Sequence, residues 1–154
     1  MGFVAGLKEQ LRSDLNAAMR ARDQVRLRTL RMALTSITNE EVAGAAAREL
    51  TDDEIVKILT REARKRREAA EAFSAAGRTD RAAAERAEGD VLAGYLPAQL
   101  SDDELAALVD AAIAETGASG MAAMGQVMKT VTPWVAGRAD GARVAAEVRR
   151  RLSG

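Results

Sequence analysis

The chain has 154 residues, 47% hydrophobic but only 3% aromatic, and its 23 basic and 23 acidic side chains cancel. That length holds one domain or two small ones, the core must be aliphatic, and no global charge draws the chain to nucleic acid or membrane. The absence of cysteine and histidine excludes disulfides, thiol nucleophiles, thiolate metal sites and imidazole bases, while a carboxylate-only Mg²⁺ or Ca²⁺ site stays open.

The first ten residues, MGFVAGLKEQ, meet charge within a few positions. The apolar run is too short for a signal peptide, and no stretch reaches membrane-spanning length. A cytoplasmic protein without a membrane partner is expected. The first helix is predicted from Phe3 to Arg20, with Val4, Leu7, Leu11, Leu15 and Met19 on one stripe. A second, capped by Asp23, runs to about Ala43 on Leu27, Leu30, Leu34 and Ile37, and the short spacing implies an antiparallel hairpin. Arg20, Arg22, Arg26, Arg28 and Arg31 cluster around that turn, as a solvated face or a phosphate contact surface.

After a loop over 44–50, Thr51-Asp-Asp-Glu54 reads as a capping box, and a third helix follows on Ile55, Ile58, Leu59, Ala63, Ala70 and Phe73 up to Gly77. Its basic block, Arg61 with Arg64 to Arg67, points in several directions and cannot all face one ligand. A fourth helix runs from Thr79 to Tyr95, where Leu96-Pro97 closes it. Ser101-Asp-Asp-Glu104 repeats the capping box and opens a fifth helix on Leu105, Leu108, Val109, Ala112 and Ile113, ended by Gly117. The last helix runs from about Gly141 to Leu152 with Asp140 as its cap. The reading is an all-α protein: a helical domain of about four helices in hairpins over 1–96, and a small three-helix module over 97–154.

Between the fifth and last helices lies SGMAAMGQVMKTVTPWVAGRADG, with the only tryptophan, Trp134. Gly120 and Gly125 have P-loop spacing, but Gln126 stands where lysine is needed and no strand precedes them, so a phosphate loop is rejected. Met121, Met124, Val127, Met128 and Val131 form an apolar helical face suited to core. The carboxylates Asp102 and Asp103 fit a capped helix start better than acid–base chemistry. No nucleophile has an activating base, and neither a catalytic residue, a cofactor nor a metal is expected. Charge is uneven, acidic from Asp80 to Glu115 and basic from Lys129 to Arg151. The basic part could dock internally on the acidic one, or offer a phosphate-binding face.

Two segments carry a resemblance. Tyr95-Leu96-Pro97-Ala-Gln99-Leu100-Ser-Asp-Asp-Glu104-Leu105 resembles the hinge signature of the YqeY family. Met124-Gly125-Gln-Val127-Met128-Lys129, Pro133 and Gly137-Arg138-Ala-Asp140-Gly141 resemble its C-terminal signature. The Leu27-Arg28-Thr-Leu30-Arg31 run and the closing Val148 and Leu152 agree with it. The family fold is all-helical and shared with the tail of the B subunit of the tRNA-dependent amidotransferase (GatB), where the tail is a tRNA-binding appendage. The resemblance implies a tRNA-binding accessory protein, with the family label of carbon–nitrogen ligase with glutamine as amido donor, and partners that are tRNA or a protein of the translation or aminoacylation machinery. Phosphate contacts are expected from Lys129, Arg138, Arg143 and Arg149. The alternative is a protein–protein adaptor that docks through Trp134 and Arg138. The chain departs from the family pattern at Ala123, Gln126, Trp134 and Ala136, where acidic, basic or polar residues are common, and this thins the positive face.

Overall fold

A computed structural model describes residues 6–154. The described residues form seven α-helices and one 3₁₀ turn, with no strand: α1 (Leu7–Ala21), α2 (Gln24–Glu41), α3 (Asp52–Ala75), α4 (Thr79–Ala93), α5 (Asp102–Thr116), the 3₁₀ turn (Met121–Ala123), α6 (Met124–Val135) and α7 (Gly141–Ser153). The all-helical class holds. Phe3 and Val4, where the first helix was expected to begin, lie outside the described residues. The chain divides into two compact units, Met1–Leu96 and Pro97–Gly154.

Local chemistry sets the helix ends. Asp23 accepts from the Arg26 N–H at 3.1 Å and starts α2. Both capping boxes form: Thr51 with Glu54 at α3, and Ser101 with Glu104 at α5. Each satisfies two otherwise orphan donors reciprocally. The end of α4 falls at Ala93 rather than Tyr95, leaving Tyr95 and Leu96 in a turn that precedes Pro97.

In the first unit, Leu11 of α1, Leu30, Ala33 and Ile37 of α2, Ile55, Ile58 and Leu59 of α3 and Leu92 of α4 make the core, with Leu50 closing it from the loop. Burying each Leu or Ile stabilises the fold by roughly 1.5–3 kcal/mol. Charges knit its rim. Lys8 meets both carboxylate oxygens of Glu41 at 2.8 and 2.9 Å, joining the start of α1 to the end of α2. Tyr95 donates its phenol to Asp14 and accepts from Arg26 at 3.3 Å, tying the chain after α4 to α1 and α2. The basic block of α3 is largely paired: Lys65 with Glu62 at 3.1 Å, Arg64 with Glu68 at 4.0 Å, and Arg66 with Glu62 and Glu88 at 3.6 Å each. Around the α1–α2 turn, Arg26 meets Tyr95 and Arg28 meets Glu88 at 2.7 Å, so the five arginines do not form one free cluster.

In the second unit, Leu105, Val109 and Ala112 of α5 pack with Val127, Val131 and Val135 of α6 and Val144 and Val148 of α7. Met124 and Met128 lean on this core, whereas Met121, expected on the same face, is 46% exposed. The reason is local: Met121 lies in the 3₁₀ turn, outside the α-helical period that aligns the other four.

Candidate nucleic-acid interface

Two ion pairs define how α5 and α7 lie. Arg143 Nη2 donates to Asp102 Oδ1 at 2.8 Å, and Arg151 Nε stands 3.4 Å from Asp110 Oδ1. The same offset of 41 residues separates both pairs, about two turns apart along each helix. A constant offset means that α5 and α7 run parallel and in register. Helix α6 runs the other way, because Leu100, just before α5, donates to the carbonyl of Arg138, just after α6, at 2.8 Å.

This ladder sorts the charges. Arg150 and Arg151 also hold Glu147, at 2.7 and 3.1 Å. The Glu147 carboxyl is held below its usual range by these guanidinium hydrogen bonds, Arg150's first, and Arg150 in turn is raised by Glu147. Arg143, Arg151 and Glu147 lie on the flank of α7 that faces α5. Arg149 follows Val148 by about 100° in the opposite sense, on the flank away from α5. It is exposed, with no carboxylate within ion-pair distance among the described residues.

Lys129 is exposed on the outer side of α6, opposite the buried Val127, Val131 and Val135, and it too has no such partner. From Thr116 to Ala139 the chain has no Asp or Glu, while Lys129 and Arg138 fall inside it. Helix handedness, with α6 antiparallel to the α5–α7 pair, turns the Gly125, Lys129 and Thr132 side of α6 toward the outer edge that carries Arg149. The start of α6 lies beside the end of α7, since the 3₁₀ turn packs on α7. Of the four expected phosphate contacts, Lys129 and Arg149 therefore share an edge. Arg143 lies on the other flank of α7, engaged by Asp102.

Arg138 occupies the turn between α6 and α7. Ala136 (φ 49°) and Gly137 (φ 78°) are both left-handed, and the half-buried Arg138 follows. Its N–H donates to the Val135 carbonyl at 3.0 Å, and Gln99 Nε2 braces the turn on the Gly137 carbonyl at 3.4 Å. Its charge reaches Glu104, whose carboxyl is lowered first by the Ser101 N–H and hydroxyl and then by Arg138. Asp140 caps α7, accepting from Arg143 N–H at 2.9 Å. Trp134 is 36% exposed. It lies five residues beyond Lys129 on α6, about 140° round the helix, and faces the α5 side.

Residue-by-residue reading of the sequence missed Asp102 and Asp110 as partners of Arg143 and Arg151. The signal was available, since the acids on α5 and the arginines on α7 are spaced identically. Among the described residues no group of three or more Asp or Glu is placed to hold a metal ion, and no helix is long and apolar enough to cross a membrane. No curated protein matches the chain. The family model described as Yqey-like protein matches residues 8–152, spanning both units and every helix from α1 to α7 apart from its outermost residues. The chain belongs to the YqeY-like family.

Proposed function

We propose that the protein is a tRNA-binding accessory protein whose C-terminal unit contacts phosphates, acting by binding rather than by chemistry of its own. The observation that carries this reading is the segregation of charge in that unit. Asp102 and Asp110 of α5 and Glu147 of α7 are matched with Arg143, Arg150 and Arg151, while Lys129 and Arg149 stand unopposed on the outer edge of α6 and α7. Such an edge attracts a polyanion without repelling it through neighbouring acids. Arg138 in the adjoining turn adds a third cation. The similarity of the family to the amidotransferase tail supports tRNA as the polyanion, and a cytoplasmic place beside translation follows from that reading. Any glutamine-dependent carbon–nitrogen ligation would belong to a partner enzyme, because a chain without cysteine or histidine offers no conventional activated nucleophile. Titration with total tRNA at low and moderate salt tests the proposal. Binding should weaken steeply with salt, and no binding at high micromolar protein in either buffer rejects it.

The second reading, a protein–protein adaptor, is favoured by one observation: the only tryptophan is 36% exposed, on a side of α6 other than that of Lys129. An exposed tryptophan beside a glycine turn has the character of an interface anchor.

A further inference from the structure

Gly125 lies one turn inside the continuous helical run that begins at Met121. Its backbone is not in the left-handed region, and a Cβ built on it would meet no atom within 4 Å. Nothing within the protein therefore calls for glycine, although glycine weakens a helix relative to alanine by up to about 1 kcal/mol. Gly89 of α4 also has room for a side chain, since an added Cβ would stand 3.6 Å from the Arg66 Cβ, an ordinary contact, but it lies against α3 rather than on an open edge. Gly125 is one turn before Lys129 and shares its side of α6, on the edge that carries Arg149 and has no carboxylate. On α7 the positions one turn before Arg149 on its own side are small, Ala145 and Ala146.

We infer that Gly125 is a contact point for an RNA backbone: the missing side chain lets a phosphodiester strand approach the helix while Lys129 and Arg149 neutralise its phosphates. The occupant is a polyanionic backbone because the charged side chains described on this edge, Lys129 and Arg149, are both positive. An apolar peptide would leave both cations without partners. The inference rests on the RNA-binding reading above and deepens it by naming a residue that carries no charge.

The test uses the full chain and labelled total tRNA at low salt, comparing wild type with Gly125→Ala, Gly125→Leu, Lys129→Gln and, as a control about 100° round α6 from Gly125, Gln126→Leu. Gly125→Ala should raise the melting temperature and still weaken binding. Gly125→Leu should weaken it by about tenfold or more, the equivalent of a lost charged contact. Gln126→Leu should change affinity less than either. If both Gly125 variants bind as wild type while Lys129→Gln does not, the inference is overturned and the RNA-binding reading stands. If wild type itself does not bind, both fall.

Discussion

Arg143 is held by Asp102 through a 2.8 Å hydrogen bond across the parallel pair α5 and α7. Of the two, Asp102 is almost fully exposed, at 98%, so the contact is a surface ion pair, of the kind worth about 0–1 kcal/mol. Its importance lies in occupancy, because a guanidinium already facing a carboxylate gains little from a phosphate. Arg143→Ala should therefore reduce tRNA affinity less than Lys129→Ala. Asp102→Asn should leave the urea midpoint nearly unchanged while raising affinity at low salt. A larger loss from Arg143→Ala than from Lys129→Ala, measured by fluorescence anisotropy, contradicts this assignment.

The fold was legible in the sequence because its signals are local. The apolar period of Leu30, Leu34 and Ile37 and the two S/T-D-D-E boxes act within four residues. They specify a helix whatever surrounds it. Charge pairing is not local. Arg143 looks as free as Arg149 along the chain, and only the register of α7 on α5 separates them. Tyr95 shows the same limit, since its partners Asp14 and Arg26 are far away in sequence. Met121 failed for a smaller reason, the switch from 3₁₀ to α-helix at Met124, which shifts the period by a fraction of a turn.

Ala136 carries a backbone conformation that suits glycine, with φ 49° and ψ 48° at the end of α6. A left-handed non-glycine residue costs about 1 kcal/mol or more from the contact of its Cβ with the carbonyl. Ala136→Gly removes that contact but frees the unfolded chain. The net expectation is a gain of up to about 1 kcal/mol, seen as a higher melting temperature. A drop in stability would mean that the Ala136 methyl makes a contact worth more than the strain.

Acid should loosen the start of α3. The Glu54 carboxyl is lowered from its ordinary 4.5 to about 2, first by Arg48, then by the Thr51 N–H. A folded-state value below the unfolded one stabilises the protein above pH 4.5, and that stabilisation disappears as pH falls toward 2. Glu41 is lowered too, chiefly by Lys8. Glu54→Gln should therefore flatten the stability profile across this interval and matter most near neutral pH. Chemical denaturation at a series of pH values measures it, and parallel profiles for wild type and variant contradict it.

Tyr95→Phe should destabilise the first unit. The phenol donates to Asp14, and burial, with Asp14 adding to it, raises its ionisation far above the usual tyrosine range, so it remains a donor. Deleting the hydroxyl leaves Asp14 without that donor and Arg26 without its acceptor, in half-buried surroundings, at a cost of about 1–2 kcal/mol. Leu11→Ala, in the core of the same unit, should cost more, about 2–5 kcal/mol. Urea unfolding followed by circular dichroism ranks the two, and a Tyr95→Phe loss equal to that of Leu11→Ala would show the latch to be worth a core side chain.

Lys129 and Trp134 share α6 but point about 140° apart, so one partner surface cannot use both equally. If the protein is a tRNA-binding module, Lys129→Ala weakens tRNA binding and lowers the salt slope by about one, while Trp134→Ala leaves both nearly unchanged. If it is an adaptor, Trp134→Ala abolishes capture of a protein partner, whereas Lys129→Ala retains it. The indole adds an independent check. A ring 36% exposed should be accessible to an aqueous quencher in the free protein, and a bound protein partner should protect it where bound tRNA should not. Quenching that bound tRNA suppresses as strongly as a bound protein partner would place the indole inside the RNA footprint, and the separation of the two faces would then be wrong.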